Sequence, residues 1–509
     1  MKHTLIQHLV LAALAFSITT GCSQSNLSGR AVPRAPSDGD GEGAPNANPG
    51  GTGGGGIGGG GGVPGPAGPG VLPVPVYDDP YWVHPTSLLD THSMDGNDSD
   101  SGSVAAGANG DALIGVEYGS RLFLSERVGG VWNFPVRFVT QPHNPAGGSM
   151  FTPRSAIHSN GDAIVVWVQR DNGTDRVYAC TRQNGVWTDP VNHADHLSPG
   201  STEGALEAKV VIDPAGDGVV VWEQYVGGNG RIFKSERRNG VWTNPASDGD
   251  GISAGATHAQ DVAIAVGPDG HVIVAWAQWG TSNYSIFKSE RINGVWTHPA
   301  TLADGISPNG SHAFAPKIAF DGIGDAVLAW VQGDGSNAQV FKSEYRSGIW
   351  QHPTGLADNI SPDGTDAHAV RVAMSANREA VIVWSQDTGS LQSHLFKSVY
   401  VNSSWSHPAG LSDHFSVGDH VNEFTVGMDS FGNVIVPYTA ADAALTWATY
   451  LSERRFSSWL HPASLVDHIS PGGTVATLPW IAVDGDDAAI VIWRQSDGTF
   501  QKTYMSEYR

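Results

Sequence analysis

The chain has 509 residues, 40% of them hydrophobic and 15% charged, so it is long enough to bury a large core. Its 50 acidic residues outnumber its 28 basic residues and give a net charge of −22. A surface this acidic repels phosphate backbones, so we expect no nucleic-acid partner.

The N-terminal residues have the pattern of an export signal. A basic start is followed by an apolar stretch over residues 9–18 and by Thr-Thr-Gly-Cys, which ends at Cys22. This segment resembles the signal of bacterial lipoproteins, in which cleavage precedes the cysteine and its thiol is lipidated. The resemblance implies a signal peptide over residues 1–21 and lipidation of Cys22. Because Ser23 follows, it also implies an outer-membrane lipoprotein of the cell envelope, on either face of that membrane. The alternative is simple secretion.

Residues 22–75 are rich in glycine and proline, with a glycine tract over residues 51–62. Such a segment has too little apolar surface to offset its chain entropy, so the composition predicts a disordered tether. No later stretch is apolar for the 18 or more residues that a spanning helix needs. We therefore expect membrane attachment through the lipid anchor only.

From residue 76 onward the chain is a tandem repeat. A tryptophan is followed three residues later by a proline eight times, and successive tryptophans lie 50, 55, 55, 54, 54, 55 and 54 residues apart. A period of this length is typical of solenoids, propellers and related arrays. The tryptophans are Trp82, Trp132, Trp187, Trp242, Trp296, Trp350, Trp405 and Trp459.

One repeat, residues 261–302, contains four predicted strands. The second strand is almost wholly apolar, as expected of a strand covered on both faces. Asn293-Gly294 supplies a two-residue turn before the fourth strand, and the proline of that strand places it at a sheet edge. A four-stranded meander repeated without helices predicts a propeller blade. The strands cover residues 262–266, 271–278, 285–291 and 295–299.

The two ends of the array complement each other. The array opens with an unpaired fourth strand over residues 81–85 and closes with a third strand over residues 503–509. Together they complete one blade and remove the exposed edges of an open array. The sequence therefore predicts an all-β fold over residues 76–509, an eight-bladed β-propeller of four-stranded antiparallel blades closed by an N-terminal outer strand. An open solenoid, the alternative, needs polar caps that the sequence lacks. We expect a monomer.

The repeats resemble those of bacterial β-propellers. The segment over residues 235–242 is similar to the Asp-box of sialidase-type propellers, which has a serine seven residues before a tryptophan. Arg237, Arg291 and Tyr345 stand where that motif has its aspartate, so sialidase catalysis is not carried over. Lectin-type propellers are a looser resemblance, based on repeated aromatic blades.

Strand order places two kinds of loop on one side of the propeller, which we call the loop face. These are the connections between blades, such as residues 300–315, and the loops between second and third strands, such as residues 278–285. The opposite side, the turn face, has only tight turns, for which we expect little pocket depth. The repeated glutamine that ends the second strand is expected to hold the loops, and the alternative is contact with a ligand.

Five residues of the loop face are ligand-binding candidates. Tyr225 and Trp279 follow the glutamine into the loop, where an aromatic ring can stack on a sugar. His258, His312 and His420 share one repeat position. The alternatives are packing for the aromatic residues and hydrogen-bonded loop positions for the histidines. Whole blades separate the histidines, so we expect no shared metal ion.

Enzymatic chemistry has weaker support in the sequence. Residues 95–100 have oxygen ligands at calcium-like spacing but lack the final glutamate of an EF-hand, so we expect an ordinary turn. No nucleophile elbow or phosphate-binding loop occurs, and we assign no catalytic residue, metal or cofactor. Four carboxylates break the repeat pattern and are candidates for a singular cluster: Glu117, Glu207, Glu223 and Glu423.

These patterns favour a surface-tethered binding module over an enzyme. A ring of similar loops suits a repeating ligand, because several weak sites raise its avidity. The expected partner is a glycan or an envelope or extracellular protein, bound through the loop face. The alternatives are a glycan-acting enzyme of the sialidase or glycosidase type and a purely structural scaffold.

Overall fold

The computed structural model describes residues 81–93, 98–118, 121–138, 150–200, 203–389, 392–441, 446–484 and 488–509. The signal peptide, Cys22, the tether and residues 95–97 of the expected turn lie outside the described residues. Within these ranges the chain forms strands, numbered β1 to β33 in chain order, and short 3-10 turns at His193–Asp195, Asp248–Asp250 and Leu411–Asp413. No helix in this part of the chain is long and apolar enough to cross a bilayer.

The described strands form eight four-stranded antiparallel blades, each a meander from a first to a fourth strand. The first strands of blades 1 to 8 are β2 (Ser99–Ala106), β6 (Met150–Ile157), β10 (Ala205–Ile212), β14 (Ala259–Val266), β18 (Ala313–Phe320), β22 (Ala367–Met374), the split pair β26 (His420–Phe424) and β27 (Gly427–Met428), and β31 (Ala476–Val483). The second strands are β3 (Ala112–Tyr118), β7 (Ala163–Asp171), β11 (Gly218–Val226), β15 (Val272–Trp279), β19 (Ala326–Gly333), β23 (Ala380–Gly389), β28 (Val434–Ala441) and β32 (Ala489–Ser496).

The outer half of each blade contains the remaining strands. The third strands are β4 (Arg121–Val128), β8 (Thr174–Gln183), β12 (Asn229–Arg238), β16 (Tyr284–Ile292), β20 (Ala338–Arg346), β24 (Gln392–Val401), β29 (Trp447–Arg455) and β33 (Gln501–Tyr508). The fourth strands are β5 (Val131–Phe138), β9 (Val186–Thr188), β13 (Val241–Thr243), β17 (Val295–Thr297), β21 (Ile349–Gln351), β25 (Ser404–Ser406), β30 (Ser458–Leu460) and, in blade 8, β1 (Trp82–Val83).

The blades form a closed ring around a central axis. Each first strand packs against the first strand of the next blade, and β31 of blade 8 packs against β2 of blade 1. The first strands therefore surround the axis, and the fourth strands, which have two or three residues in every blade but the first, lie at the rim. Blades 6 and 7 are also joined by one parallel residue pair, Ser393 with His420.

The N-terminal strand closes the ring as the sequence predicts. Trp82 pairs with Tyr508 on the last strand of the chain. The indole of Trp82 also donates a hydrogen bond to Glu453 of blade 7. His84 Nδ1 lies 2.9 Å from Ser506 Oγ. The chain ends are thus held together by backbone pairing and by side-chain contacts, and the eight-bladed prediction is confirmed.

The apolar second strands carry the core. Trp330 is fully buried and stacks on Phe341 of the third strand, with ring centroids 6.1 Å apart. Its Nε1 donates to Gln332 Oε1 at 3.0 Å, and Gln332 Nε2 donates to the Pro308 carbonyl at 2.6 Å. The repeated glutamine thus ties a loop to the core, as expected. Blades 1 and 7 depart from the pattern, with Val116 and Tyr438 in place of the tryptophan.

The fourth-strand tryptophans join neighbouring blades. Trp296 Nε1 donates to Glu236 Oε1 of the preceding blade at 2.7 Å, and Lys234 Nζ lies over the indole, 4.9 Å from its centroid. Burial by itself raises the pKa of Glu236, but hydrogen bonds from the lysine, from Arg238 and from the indole lower it to about 2. Among the described residues the same donor and acceptor pair occurs at six joints: Trp82–Glu453, Trp132–Glu507, Trp187–Glu126, Trp296–Glu236, Trp350–Glu290 and Trp405–Glu344.

Candidate functional site

Six ring side chains form a continuous group on the loop face of blades 3, 4 and 5, which we call the aromatic cluster. Neighbouring ring centroids lie 5.0 to 6.3 Å apart. Trp279 is 38% exposed, His312 is also exposed, and the other four rings are half-buried. The cluster consists of Tyr225, His258, Trp279, Tyr284, His312 and Phe314.

The two aromatic candidates are located differently from the prediction. Tyr225 and Trp279 lie within the ends of second strands, not in loops. The backbone pairing extends to these residues, because Tyr225 N donates to the Gly204 carbonyl at 3.1 Å and Trp279 N donates to the His258 carbonyl at 2.8 Å. The prediction of loop positions was wrong, since the interblade connection pairs with the second strand and prolongs it. The rings are therefore held on rigid backbone.

Two of the candidate histidines bridge adjacent blades. His258 Nδ1 accepts a hydrogen bond from Gly230 N at 2.7 Å, and His312 Nδ1 accepts one from Tyr284 N at 3.1 Å. The remaining proton of His258 therefore lies on Nε2, which faces Gln260 Oε1 at 3.2 Å. Burial lowers the pKa of His258, which keeps the ring neutral.

The third candidate histidine lies elsewhere. His420 begins β26 in blade 7, outside the aromatic cluster. In blade 6 the equivalent position is Asp366, whose Oδ1 accepts from Ala338 N at 2.7 Å. Among the described residues no group of three or more histidine, cysteine or acidic side chains is arranged to hold a metal ion.

A second group lies on the first strands, around the axis. Each first strand contains a bulge in its pairing with the second strand, and bulges re-aim side chains. Five bulge residues have φ between 47° and 58°, a left-handed conformation that is unusual for residues with a Cβ. They are Thr152, Glu207, Asp261, Ala315 and Leu478.

In four blades, the residue two positions after the bulge residue is basic. These residues occupy one repeat position on the strands that surround the axis, and after burial and the charge of Arg154, the Arg371 guanidinium of blade 6 contributes to lowering the pKa of Lys209 of blade 3. These side chains therefore face a common axis. With three nearby carboxyl groups they form what we call the axial cluster: Arg154, Glu207, Lys209, Glu223, Asp261, Lys317 and Arg371.

The cations of the axial cluster are unequally partnered. Lys209 Nζ lies 3.7 Å from Glu207 Oε2 and donates to the Val262 carbonyl at 2.5 Å. Lys317 Nζ donates only to the carbonyl of the preceding residue at 3.2 Å, and Arg154 Nη1 does the same at 2.7 Å. Within the described chain, neither of these two side chains has a carboxylate at salt-bridge distance.

Burial and like charges shift the titration of this cluster. Burial, followed by the charges of Glu207 and Asp261, raises the pKa of Glu223 to about 8. Burial, followed by the charges of Lys209 and Arg371, lowers the pKa of Lys317 to about 7. Glu223 therefore keeps its proton at neutral pH, as a carboxylic acid in a poorly solvated site is expected to do.

Glu223 connects the two clusters. A Cβ added to Gly230 would lie 2.6 Å from Glu223 Oε1 and 2.9 Å from His258 Cε1, so this glycine permits their close approach. The charge of Glu223 also adds to the effect of burial in raising the pKa of Tyr225. The aromatic cluster and the axial cluster are thus adjacent parts of one surface.

Sequence reasoning found part of this arrangement. Glu207 and Glu223 come together. Glu423 lies in the bulge of blade 7, where it accepts a hydrogen bond from Leu478 N of blade 8 and lies near Arg371. Glu117 lies apart, on β3 opposite Leu122. The axial cations were missed. Their signal is a basic residue at one repeated position of an otherwise apolar first strand.

The turn face contains a pocket, although the sequence predicted little pocket depth there. A pocket of about 390 Å³ lies between the turns of blades 3 and 4, with Asp213, Asp217, Asp269, Arg238 and Arg291 among its lining residues. Arg291 there is held by an ion pair to Asp213, which gives the arginine a structural role between the blades.

No protein-family model matches the chain, and no curated protein matches it. Similar solved structures include a polysaccharide lyase of family PL25, an ulvan lyase, with 12% identity over 70% of this chain and 94% of that chain and a TM-score of 0.43. A GH93 α-L-arabinofuranosidase of Fusarium graminearum has 9% identity over 71% and 93%, with a TM-score of 0.37. A puromycin-hydrolysing peptidase of Mycobacterium tuberculosis has 14% identity over 81% and 60%, with a TM-score of 0.40. Likenesses this distant say nothing about the ligand of this chain.

Proposed function

We propose that the protein is a surface-tethered binding module that binds a glycan at the aromatic cluster of blades 3 to 5. The aromatic cluster carries this proposal. It offers contiguous rings, one of them a tryptophan with 38% of its surface exposed, beside polar groups of the axis. Sugar rings stack their C–H faces on such side chains, and their hydroxyl groups need hydrogen-bond partners nearby.

The rigidity of the site supports binding. Tyr225 and Trp279 lie on paired strands, and Gln278 Nε2 donates to Thr257 Oγ1 at 3.0 Å, which holds the connection beside them. A preformed site has little conformational entropy to lose when a ligand binds. In this proposal Cys22 carries the lipid anchor, and residues 22–75 hold the propeller away from the outer membrane.

The test is a double variant of Tyr225→Ala and Trp279→Ala, measured on a glycan array and then by titration calorimetry. Each lost stack is worth on the order of 1 kcal/mol, so we expect affinity to fall about 30-fold. Phe456→Ala is the matched control, because it removes a ring that is 93% exposed on the turn face. It should leave binding unchanged.

Folding must be checked in parallel. Trp276→Ala, in the fully buried core, should cost about 3 to 5 kcal/mol of unfolding free energy, whereas the double variant should unfold like the wild type. A double variant that unfolds like Trp276→Ala would make the two aromatic residues packing residues. A wild-type protein that ignores every glycan would contradict the proposal and favour an envelope-protein partner.

Glu223 favours a second candidate function, a glycan-acting enzyme. A carboxylic acid that stays protonated at neutral pH can serve as the general acid of glycoside hydrolysis, with a second carboxylate nearby. Glu207 and Asp261 contribute to raising the pKa of Glu223 to about 8, after burial. Glu223→Gln should then abolish product formation and preserve glycan binding. Product formation is monitored by chromatography. A wild-type protein that binds the glycan and forms no product would exclude this candidate.

A further inference from the structure

We propose that the axial cluster binds an anionic group, a carboxylate or a sulfate ester, carried by the glycan. The ligand class is then an acidic polysaccharide. This inference rests on the proposed function and specifies its ligand.

The first support is the convergence of cations. Arg154, Lys209, Lys317 and Arg371 occupy one repeat position on β6, β10, β18 and β22. Because the first strands pack against one another around the axis, these side chains share one region of it, where the charges of Lys209 and Arg371 lower the pKa of Lys317 and those of Asp261 and Glu207 oppose them. A ring of converging cations focuses a positive potential at the axis, although the whole chain carries a net charge of −22.

The second support is the lack of carboxylate partners. Arg154 and Lys317 each donate to the carbonyl of the preceding residue, and neither reaches a carboxylate in the described part of the chain. The Arg154 Nε is buried and has no hydrogen-bond acceptor. Arg154 instead lies against an indole, with its Cζ 4.7 Å from the ring centroid of Trp480. Buried cations without a counter-ion are costly, and an anion from the ligand would supply one.

The carboxyl groups of the cluster do not neutralise it. Three acidic side chains accompany the four basic ones, and Glu423 of blade 7 lies near Arg371 as a fourth carboxyl group, while the proton on Glu223 removes one negative charge at neutral pH. Lys317, with its pKa near 7, is only partly protonated at neutral pH. A bound anion would favour the charged ammonium, so ligand binding should draw a proton onto Lys317.

The third support is continuity with the aromatic cluster. Gln260 links the two groups, because its Oε1 lies 3.2 Å from His258 Nε2 and its Nε2 donates to Asp261 Oδ2 at 3.4 Å. Glu223 Oε1 lies beside the same histidine. A sugar stacked on the aromatic cluster thus has its substituents close to the axis, where an acidic group meets the cations.

The experiment compares matched ligands on the full chain by titration calorimetry. The first pair is an oligogalacturonate and its methyl ester, in which each carboxylate is replaced by an uncharged ester of the same sugar. The second pair is a sulfated galactan oligosaccharide and its desulfated form, which tests sulfate as the anion. We expect at least one acidic member to bind about tenfold or more tightly than its neutral partner, since hydrogen bonds to charged groups are the stronger ones.

Lys317→Met should weaken the affinity for the acidic ligand about tenfold. It should change the affinity for the neutral ligand less than about twofold. Arg170→Met is the matched control, because it removes an exposed loop-face cation that pairs with Asp175 at 3.2 Å. If Lys317→Met does not fold, the wild type still provides a test. Sodium chloride should weaken binding of the acidic ligand and leave the neutral ligand unaffected.

Equal affinity for both members of each pair would overturn the inference and leave the proposed function standing. Loss of the acidic preference in Arg170→Met, with Lys317→Met unaffected, would also overturn it. Failure of every ligand, charged or neutral, to bind would overturn the inference together with the proposed function. A preference for one anion over the other identifies which acidic group the axis accepts.

Discussion

Replacing Trp82 with alanine tests how the ring is closed. The Trp82 side chain is half-buried, donates to Glu453 of blade 7 and packs against Tyr508 with ring centroids 5.4 Å apart. A hydrogen bond to a charged group contributes about 1.5 to 3 kcal/mol, and an aromatic pair adds about 0.5 to 1.5 kcal/mol. We therefore expect Trp82→Ala to lower the free energy of unfolding by about 2 to 4 kcal/mol.

Trp296→Ala is the matched control for this variant. Trp296 occupies the same position inside the array, donates to Glu236 at 2.7 Å and stacks on His298 with centroids 5.5 Å apart. In a closed ring the two substitutions should cost similar amounts, measured by urea titration with far-ultraviolet circular dichroism. If Trp296→Ala destabilises the protein and Trp82→Ala changes nothing, the N-terminal strand is not part of the last blade and the closure argument fails.

Two further outcomes are expected. The carboxyl groups of Glu236 and Glu290 have pKa values of about 2 in the folded protein, below the ordinary value of 4.5, because hydrogen bonds outweigh burial. Each therefore contributes on the order of 2 kcal/mol to the free energy of unfolding above pH 4.5. This contribution is lost as the pH falls through 2. Glu290→Gln should flatten the fall in stability over this range, and an unchanged slope in acid titrations would contradict the assignment. Cys22→Ser should release the protein from membrane fractions, and unchanged partition on fractionation would end the lipoprotein proposal.

The repeat chemistry explains why so much of the fold was predictable from the sequence. Asn293 and Gly294 both have positive φ, at 52° and 79°, as a two-residue hairpin turn requires. The apolar run that ends near Trp276 forms a buried strand for the same reason in each repeat. Such local signals recur about every 54 residues, so a strand or turn predicted in one repeat is predicted independently in the others.

The candidate site was less predictable because it depends on contacts between blades. Tyr284 begins its third strand at a position where other repeats have Gly230 or Ala338, and nothing local shows that it meets Trp279 and His312. The axial cations raise the same difficulty. A lysine on an apolar strand is visible in the sequence, but its distance from an arginine three blades away depends on closure of the ring.

Amide hydrogen exchange with and without the best ligand of the glycan array tests the central claim most directly. If the aromatic cluster binds the glycan, slowed exchange should be confined to loop-face segments of blades 3 to 5, near residues 225–230, 257–262, 279–284 and 311–316. The corresponding segments of the other blades should exchange at unchanged rates. Protection spread evenly over all eight blades, or found on the turn face, would contradict a single glycan site at this cluster.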